Sequence, residues 1–414
     1  MDRRKFLKTT GAGLAAITTG LAGVRPAKAQ TSSSADVIVI GAGTFGAWTA
    51  YHLNQRGANV QLIDAYGPGN SRASSGGETR QMQADRVSRV YTQSAKDSYA
   101  LWKRLEDESG VPIVLETGKL MLSTNDGNVG DAEAIIANHR TNDIPGAELL
   151  GPDELRYRWP QLYSDDLSWG LYTQGVAGSV MMARKGVETV AKQFVKNGGE
   201  SLIAYCTPEL DANNNVTRLR LQDDSVLQAG QYVFACGPWL GRLFPELLNT
   251  RLQVERRDVL FYGSPPGDDR FAYPNLPNWS VVGSGYYGFP DIESRGFKVA
   301  PYPDLNSINP DVDERIITPQ SVKRGRHFLA HRFPGLAEMP ITETRVCQVT
   351  HTVDYNFIAD KHPGSDNVWI VGGGSGHGFK HGPAVGQYVA KRVLGQAVDS
   401  DFSDTFIAMK AEFG

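Results

Sequence analysis

Cysteine is scarce: the chain has three in 414 residues, Cys206, Cys236 and Cys347. None forms a CxxC pair or joins a Cys/His cluster, which argues against a metal site or a disulfide framework and leaves at least one thiol for another use. An excess of charge of one sign is also lacking. Lys and Arg number 42 against 45 Asp and Glu, a formal net charge of −3, and without a basic stripe the chain is a poor fit for nucleic acid. No segment is apolar enough over a long enough run to cross a bilayer. Internal repeats and long low-complexity tracts are missing too. What remains is an ordinary globular composition, 41% hydrophobic and 21% charged, long enough for two domains with sizeable cores.

Residues 1–29 read as an export signal and not as part of the fold. Arg3, Arg4, Lys5 and Lys8 make a basic start around Phe6 and Leu7. A modestly apolar stretch runs from Gly11 to Val24, and Ala27-Lys28-Ala29 forms an A-x-A cleavage site. The arginine pair resembles a twin-arginine signal, whose machinery exports folded proteins. The expected location is therefore periplasmic or secreted, and a protein that captures its cofactor before export needs such a route.

The stretch from Asp36 to Asp64 organises the rest. Val37-Ile38-Val39-Ile40 is a β-branched run, followed at once by Gly41-Ala42-Gly43-Thr44-Phe45-Gly46. A helical pattern through Trp48, Tyr51, His52 and Leu53 closes at Gly57. Val60-Gln61-Leu62-Ile63 then ends in Asp64. Strand, glycine turn, helix, strand and acid make the dinucleotide-binding βαβ unit. Gly41 allows the tight turn, Gly43 the approach of a pyrophosphate, and Gly46 close packing of helix and strand. The helix N-terminus offers N–H groups to phosphates, and Asp64 can accept hydrogen bonds from a ribose. This unit alone does not separate NAD from FAD.

Further along, a helix is expected from Val87 to about Leu105, with Val90, Tyr91, Leu101 and Trp102 on one face. Further helices are expected at 132–139, 152–158 and 182–196, the last closed by Gly198-Gly199. Tyr232-Val233-Phe234-Ala235-Cys236-Gly237 reads as a buried strand running into a glycine, where parallel sheets meet ligands. From Arg251 to Arg345 aromatics, Pro and Gly become dense, as an antiparallel second sheet requires. The α/β pattern returns with the strand Asn367 to Val371, a glycine-rich turn and a helix from Val385. The fold class expected is α/β, a Rossmann-like domain built from separated segments plus an α+β substrate domain with a mostly antiparallel sheet. The segments are 36–85, 152–237 and 344–395 for the nucleotide, 86–151 and 238–343 for the substrate, and 396–414 as a tail.

Arg345-Val346-Cys347-Gln348-Val349-Thr350, Phe357-Ile358-Ala359-Asp360 and the run Gly373 to Lys380, which reads GGSGHGFK, give the chain a family likeness. With the glycine fingerprint they resemble the FAD-dependent amine oxidases typified by monomeric sarcosine oxidase and N-methyltryptophan oxidase. Gly77-Glu78-Thr79-Arg80, Arg158-Trp159-Pro160, Tyr287-Gly288-Phe289-Pro290 and Gly296-Phe297-Lys298 support the likeness in the same order. The resemblance implies FAD as cofactor, bound through Gly41, Gly43, Thr44, Phe45, Gly46, Asp64, Ser75, Thr79, Arg80, Pro208, Gly237, Cys347, Gly376, His377, Gly378, Phe379 and Lys380. It implies a thioether from Cys347 to the flavin 8α-methyl; Cys206 and Cys236 read as structural. Three catalytic roles follow from it: Lys298 activates oxygen, Lys380 binds a substrate carboxylate, and Arg80 stabilises the flavin environment or the substrate anion. No metal is called for.

The implied reaction is oxidation of the C–N bond of a secondary amine or N-substituted amino acid. Hydride equivalents go to flavin N5, the imine hydrolyses, and O2 is reduced to H2O2. The alternatives are a dehydrogenase that passes electrons to a quinone or protein, and a non-catalytic flavin-binding protein. Two positions depart from the sarcosine-type pattern. Gln83 stands where those relatives carry an arginine, and Gly76 where they carry a histidine, so the usual clamp for a small carboxylate is incomplete.

Overall fold

The computed structural model describes residues 35–84, 88–301 and 307–406. The expected export signal lies outside them. Two large sheets organise the chain. The first has six strands in the order Ile358–Lys361, Val368–Gly372, Ala229–Phe234, Ala35–Ile40, Val60–Asp64 and Glu200–Ile203. All its neighbours pair in parallel except the first two, which are antiparallel. The central strands are apolar almost throughout because both faces are covered.

One face carries the helices Thr44–Gln55, Arg89–Ser109, Ala183–Lys196 and Gly382–Val393, which share a core with Val37, Val39, Leu62 and Val233. The other face buries Ile38, Ile40, Tyr232 and Phe234, with Val216 and Leu219 of a small three-stranded sheet packed against them. Trp102 meets Trp48 edge-on at 5.0 Å between ring centroids. That contact seats the helix Arg89–Ser109 on the nucleotide-binding sheet, although its sequence position suggested the substrate segments. Gly110, at φ +68°, ends this helix in the left-handed conformation that favours glycine.

The second sheet has eight strands, in the order Ile341–Thr352, Leu252–Tyr262, Phe297–Ala300, Tyr287–Phe289, Asn278–Val281, Lys119–Ser123, Trp169–Thr173 and Glu148–Leu150. Its pairs are antiparallel except Asn278–Val281 with Lys119–Ser123. Leu120, Trp279, Phe297 and Leu260 point to one face and pack with Leu329 and Phe333, from the helix Pro319–Arg332 and its end. Two expected boundaries move. The expected nucleotide segments 152–237 and 344–395 contain Trp169–Thr173 and most of the strand bearing Cys347, yet both strands hydrogen-bond within this second sheet. Their own residues alternate as any strand does; the partner is set by chain far away in sequence.

Candidate active site

The cleft between the two sheets has a volume of about 330 Å³. Its nucleotide end is formed where the parallel strands stop, at Ile40, Gly41, Ile63, Asp64, Ala235 and Gly237. Gly41 has φ +102°, and a Cβ there would lie 2.4 Å from the carbonyl oxygen of Ala235. A Cβ on Gly46 would lie 1.8 Å from the oxygen of Gly41, so the helix Thr44–Gln55 meets the turn backbone to backbone. Gly46 thus serves packing and does not line the cleft, whereas Gly43, Thr44 and Phe45 do. The Thr44 N–H donates to Ser75 Oγ at 3.1 Å, which brings the helix N-terminus and Ser75 together. Asp64 accepts from the Ala42 N–H at 2.8 Å and the Tyr66 N–H at 2.8 Å. Burial pushes its carboxyl up, against these backbone donors. A carboxylate has about four acceptor positions, so it can still take a ribose hydroxyl.

Pro208, Cys206 and Cys236 also line the cleft, near this end. Burial raises the Cys206 thiol to about 11 and the Cys236 thiol further, which keeps both protonated and inert. All three cysteines are free.

The other end is the face of the eight-stranded sheet. Side chains alternate across a strand, so Arg345, Cys347 and Val349 on one strand share a face with Arg257 and Val259 on its neighbour. Tyr287 and Lys298 continue that face, and all seven border the cleft. Lys298 is buried, and its Nζ donates to Thr79 Oγ1 at 3.0 Å and to the Thr79 carbonyl at 3.1 Å. The ammonium also lies 4.5 Å from the centre of the Phe289 ring. Burial, then the nearby Arg80 charge, lowers its pKa to about 7. Thr79 does not itself border the cleft; its place is to hold Lys298.

Arg80 donates to the carbonyls of Thr79 at 2.8 Å and Ser74 at 2.5 Å, and reaches Cys347 Sγ at 3.6 Å. The loop 67–77 is latched onto the Cys347 strand. Ser74 Oγ donates to the Gln348 carbonyl at 2.7 Å, and Gln348 Nε2 donates to the Arg72 carbonyl at 2.8 Å. Sequence reasoning missed the group beneath this latch. Glu78 is buried and accepts from Arg345 at 2.7 Å, with Arg295 at 3.5 Å and Arg184 at 3.8 Å. A buried acid among arginines carries no local sequence signature, because the partners come from a strand, a helix and a turn that are far away in sequence.

The glycine turn after Val368–Gly372 brings Gly376, Gly378 and Phe379 to the cleft. His377 and Lys380 are buried behind it: His377 Nε2 lies 3.1 Å from the Tyr355 carbonyl, and Lys380 Nζ donates to the His377 carbonyl at 3.1 Å. Neither side chain lines the cleft. The two departures from the family pattern have structural partners. Gln83 Oε1 accepts from the buried Lys119 at 2.7 Å. A Cβ on Gly76 would lie 1.8 Å from the Asn70 carbonyl oxygen, so this loop conformation admits no side chain there.

The site therefore fits a bound dinucleotide. The turn at Gly41 is closed to any side chain, and the helix N-terminus faces Ser75. Thr350 and Gln348 are among the residues lining the cleft, and Thr350 Oγ1 and Gln348 Oε1 are buried with no partner of their own among the described residues. Among those residues no group of His, Cys, Asp and Glu is placed to hold a metal, and no helix is long and apolar enough to cross a membrane.

A glycine turn of the dinucleotide-binding kind on a parallel sheet, facing an antiparallel sheet across one cleft, is the architecture of a flavin-type oxidoreductase. The chain belongs to the FAD dependent oxidoreductase family, whose sequence profile matches residues 36–392. It is 29% identical to monomeric sarcosine oxidase of Bacillus sp. (strain B-0618) over 381 residues, covering 90% of this chain and 95% of the relative. Peroxisomal sarcosine oxidase of Mus musculus is 31% identical over 360 residues, covering 85% and 90%. In fold it matches the fructosamine oxidase of Aspergillus fumigatus with a TM-score of 0.77, at 21% identity, covering 91% of this chain and 90% of that one. The protein is an FAD-dependent oxidoreductase.

Proposed function

We propose that this enzyme oxidises the C–N bond of an N-substituted amino acid and uses O2 as acceptor. The observation that carries this reading is Lys298: a buried cation, held by Thr79, on the same sheet face as Cys347. FAD, when bound, would supply the acceptor for a hydride equivalent from the amine and the source of electrons for O2. The chain's own residues do the rest. Gly41 to Thr44 and Asp64 hold the nucleotide, and Cys347 anchors the ring through a thioether at its 8α-methyl. Arg80 fixes the sulfur in place. Lys298 offers positive charge to the oxygen species that gains the first electron, the kind of electrostatic assistance a buried, water-poor site makes effective. An amine bound in its neutral form needs no strong general base.

The sarcosine oxidase relatives support an amino-acid amine as substrate. We also propose export by the twin-arginine machinery to the periplasm or beyond, with cofactor captured first. A covalent link would prevent cofactor loss there. The test is anaerobic mixing with a panel of secondary amines and N-methyl amino acids while flavin absorbance is followed. Bleaching by at least one of them, with H2O2 formed on admitting air, is the expected result. Bleaching with recovery only on adding a quinone would instead make the enzyme a dehydrogenase. No bleaching by any amine would end the amine-oxidising reading.

A further inference from the structure

A second, much smaller cavity adjoins the cleft at Lys298. Its volume is about 10 Å³, room for one water molecule. Among the described residues, only Glu78 and Lys298 border both spaces. Thr79, Arg295 and the apolar Met182, Phe261 and Phe289 lie on the remaining wall of the small one.

Both shared residues bring an uncommitted polar group to it. Glu78 turns one carboxylate oxygen, Oε1, to Arg345 at 2.7 Å, Arg295 at 3.5 Å and Arg184 at 3.8 Å. Its other oxygen, Oε2, is buried and has no hydrogen-bond partner among the described residues. A buried acceptor without a donor is costly, and in folded proteins such an atom is served by a neighbouring group or by an ordered water. Lys298 has the matching donor. Its ammonium carries three N–H groups, and Thr79 takes two of them, at Oγ1 and at the carbonyl. A buried water needs two to four polar partners. Here the ammonium can donate to the water oxygen, and Oε2 can accept from the water.

The charges around Lys298 give this acid its weight. Arg80 comes from the strand that begins at Thr79, and Arg345 and Cys347 from Ile341–Thr352. Arg257 lies on Leu252–Tyr262, and Arg295 on the turn before the lysine's own strand. Tyr287, on the strand at the other side, is kept neutral by burial. Glu78 is the one carboxylate in this group. Burial and Arg80 push the lysine towards its neutral form, and Glu78 opposes them.

We propose that an ordered water in this cavity bridges Glu78 Oε2 and Lys298 Nζ, and that Glu78 is thereby the positioning residue that keeps Lys298 charged for its reaction with O2. The role rests on the O2 reading above. The water bridge stands on the cavity and its two polar groups.

Two measurements test it. The first needs no variant. A crystal structure of the holoenzyme at atomic resolution should show a water within hydrogen-bond distance of both Oε2 and Nζ, and the lack of a shared water overturns the bridge. The second follows reoxidation by O2 against pH, in holoenzyme reduced photochemically so that no amine is involved. Wild type should lose rate as pH rises through about 7. Glu78→Gln keeps the shape and removes the negative charge, so the midpoint should fall by about one pH unit, the low end of what a nearby opposite charge does. Glu78→Asp keeps the charge and should stay nearer the wild-type midpoint. A merely structural role would lower the melting temperature of both variants and leave the midpoint where it was, which overturns the positioning role. If Glu78→Gln does not hold its flavin, the wild-type crystal structure decides. Failure of the amine reading touches neither measurement. Reduced wild type that air does not reoxidise would sink the O2 reading, and a shared water in the crystal would still uphold the bridge.

Discussion

The guanidinium of Arg80 lies 3.6 Å from the sulfur of Cys347 while its other donors are bound to the carbonyls of Thr79 and Ser74. A residue of the short strand Thr79–Met82, which follows the loop 67–77, thereby holds a thiol that is 267 positions away in sequence. Cys347→Ser should leave a yellow native protein whose colour passes into the supernatant on acid precipitation, whereas wild-type colour should stay with the pellet. Flavin released from acid-treated wild type would remove Cys347 as the attachment point. Arg80→Ala should lower the fraction of protein carrying attached flavin, scored as fluorescence of the denatured band.

Lys298→Met should slow reoxidation by O2 by about 10²- to 10³-fold, the range seen when one preorganised electrostatic partner is removed. Anaerobic reduction by the amine should change far less. Stopped-flow traces of the two half-reactions separate them, and unchanged reoxidation would end the oxygen-activating role.

The same lysine predicts a pH dependence. Its folded pKa is lowered to about 7, so the cation is present below that pH and lost as pH rises through it. The O2 half-reaction should therefore slow as pH climbs above about 7. Lys298→Arg should flatten the profile, since a guanidinium stays charged.

Glu78 is also a test of stability. Its carboxylate is buried against Arg345 at 2.7 Å. Glu78→Gln removes one charge and leaves the half-buried Arg345 beside a neutral group. Breaking a buried pair from one side costs about 3–5 kcal/mol, measurable as a drop in the denaturation midpoint.

Gly41→Ala should cost about 1–3 kcal/mol for the strained backbone alone, before the contact at 2.4 Å with Ala235 is counted. Flavin content per mole of purified protein reads the outcome; full occupancy would mean that the turn has room to shift.

The nucleotide half was legible because its chemistry is local. Gly41 to Gly46 and Asp64 sit within one βαβ unit, and each lands where the pattern puts it. Lys298 and Cys347 were legible only through family likeness, since nothing in FKVA or VCQV separates them from an ordinary strand. Arg257 went unnoticed for the same reason: Arg256 and Arg257 look alike in sequence. Alternation turns Arg256 away, toward Asp258, with which it pairs at 2.7 Å. Lys380 marks the opposite limit. Its motif is conspicuous, yet its ammonium is turned to the His377 carbonyl behind the glycine turn. Assigning Trp169–Thr173 to a sheet was beyond reach because its partners, Lys119–Ser123 and Glu148–Leu150, lie in a segment of other character.

The strand Ile341–Thr352 has a further consequence. Along its length it pairs with Leu252–Tyr262 in the substrate sheet. At its far end the Ser375 N–H donates to the Thr350 carbonyl at 2.8 Å, and the Thr352 N–H to Ser375 Oγ at 3.2 Å. Ser375 belongs to the glycine turn that leaves the parallel sheet, so a single strand splints both layers. Among the described residues these bonds tie the two layers together at this seam. Small-angle scattering should then give the same radius of gyration with and without cofactor, and heating should melt both sheets in one step.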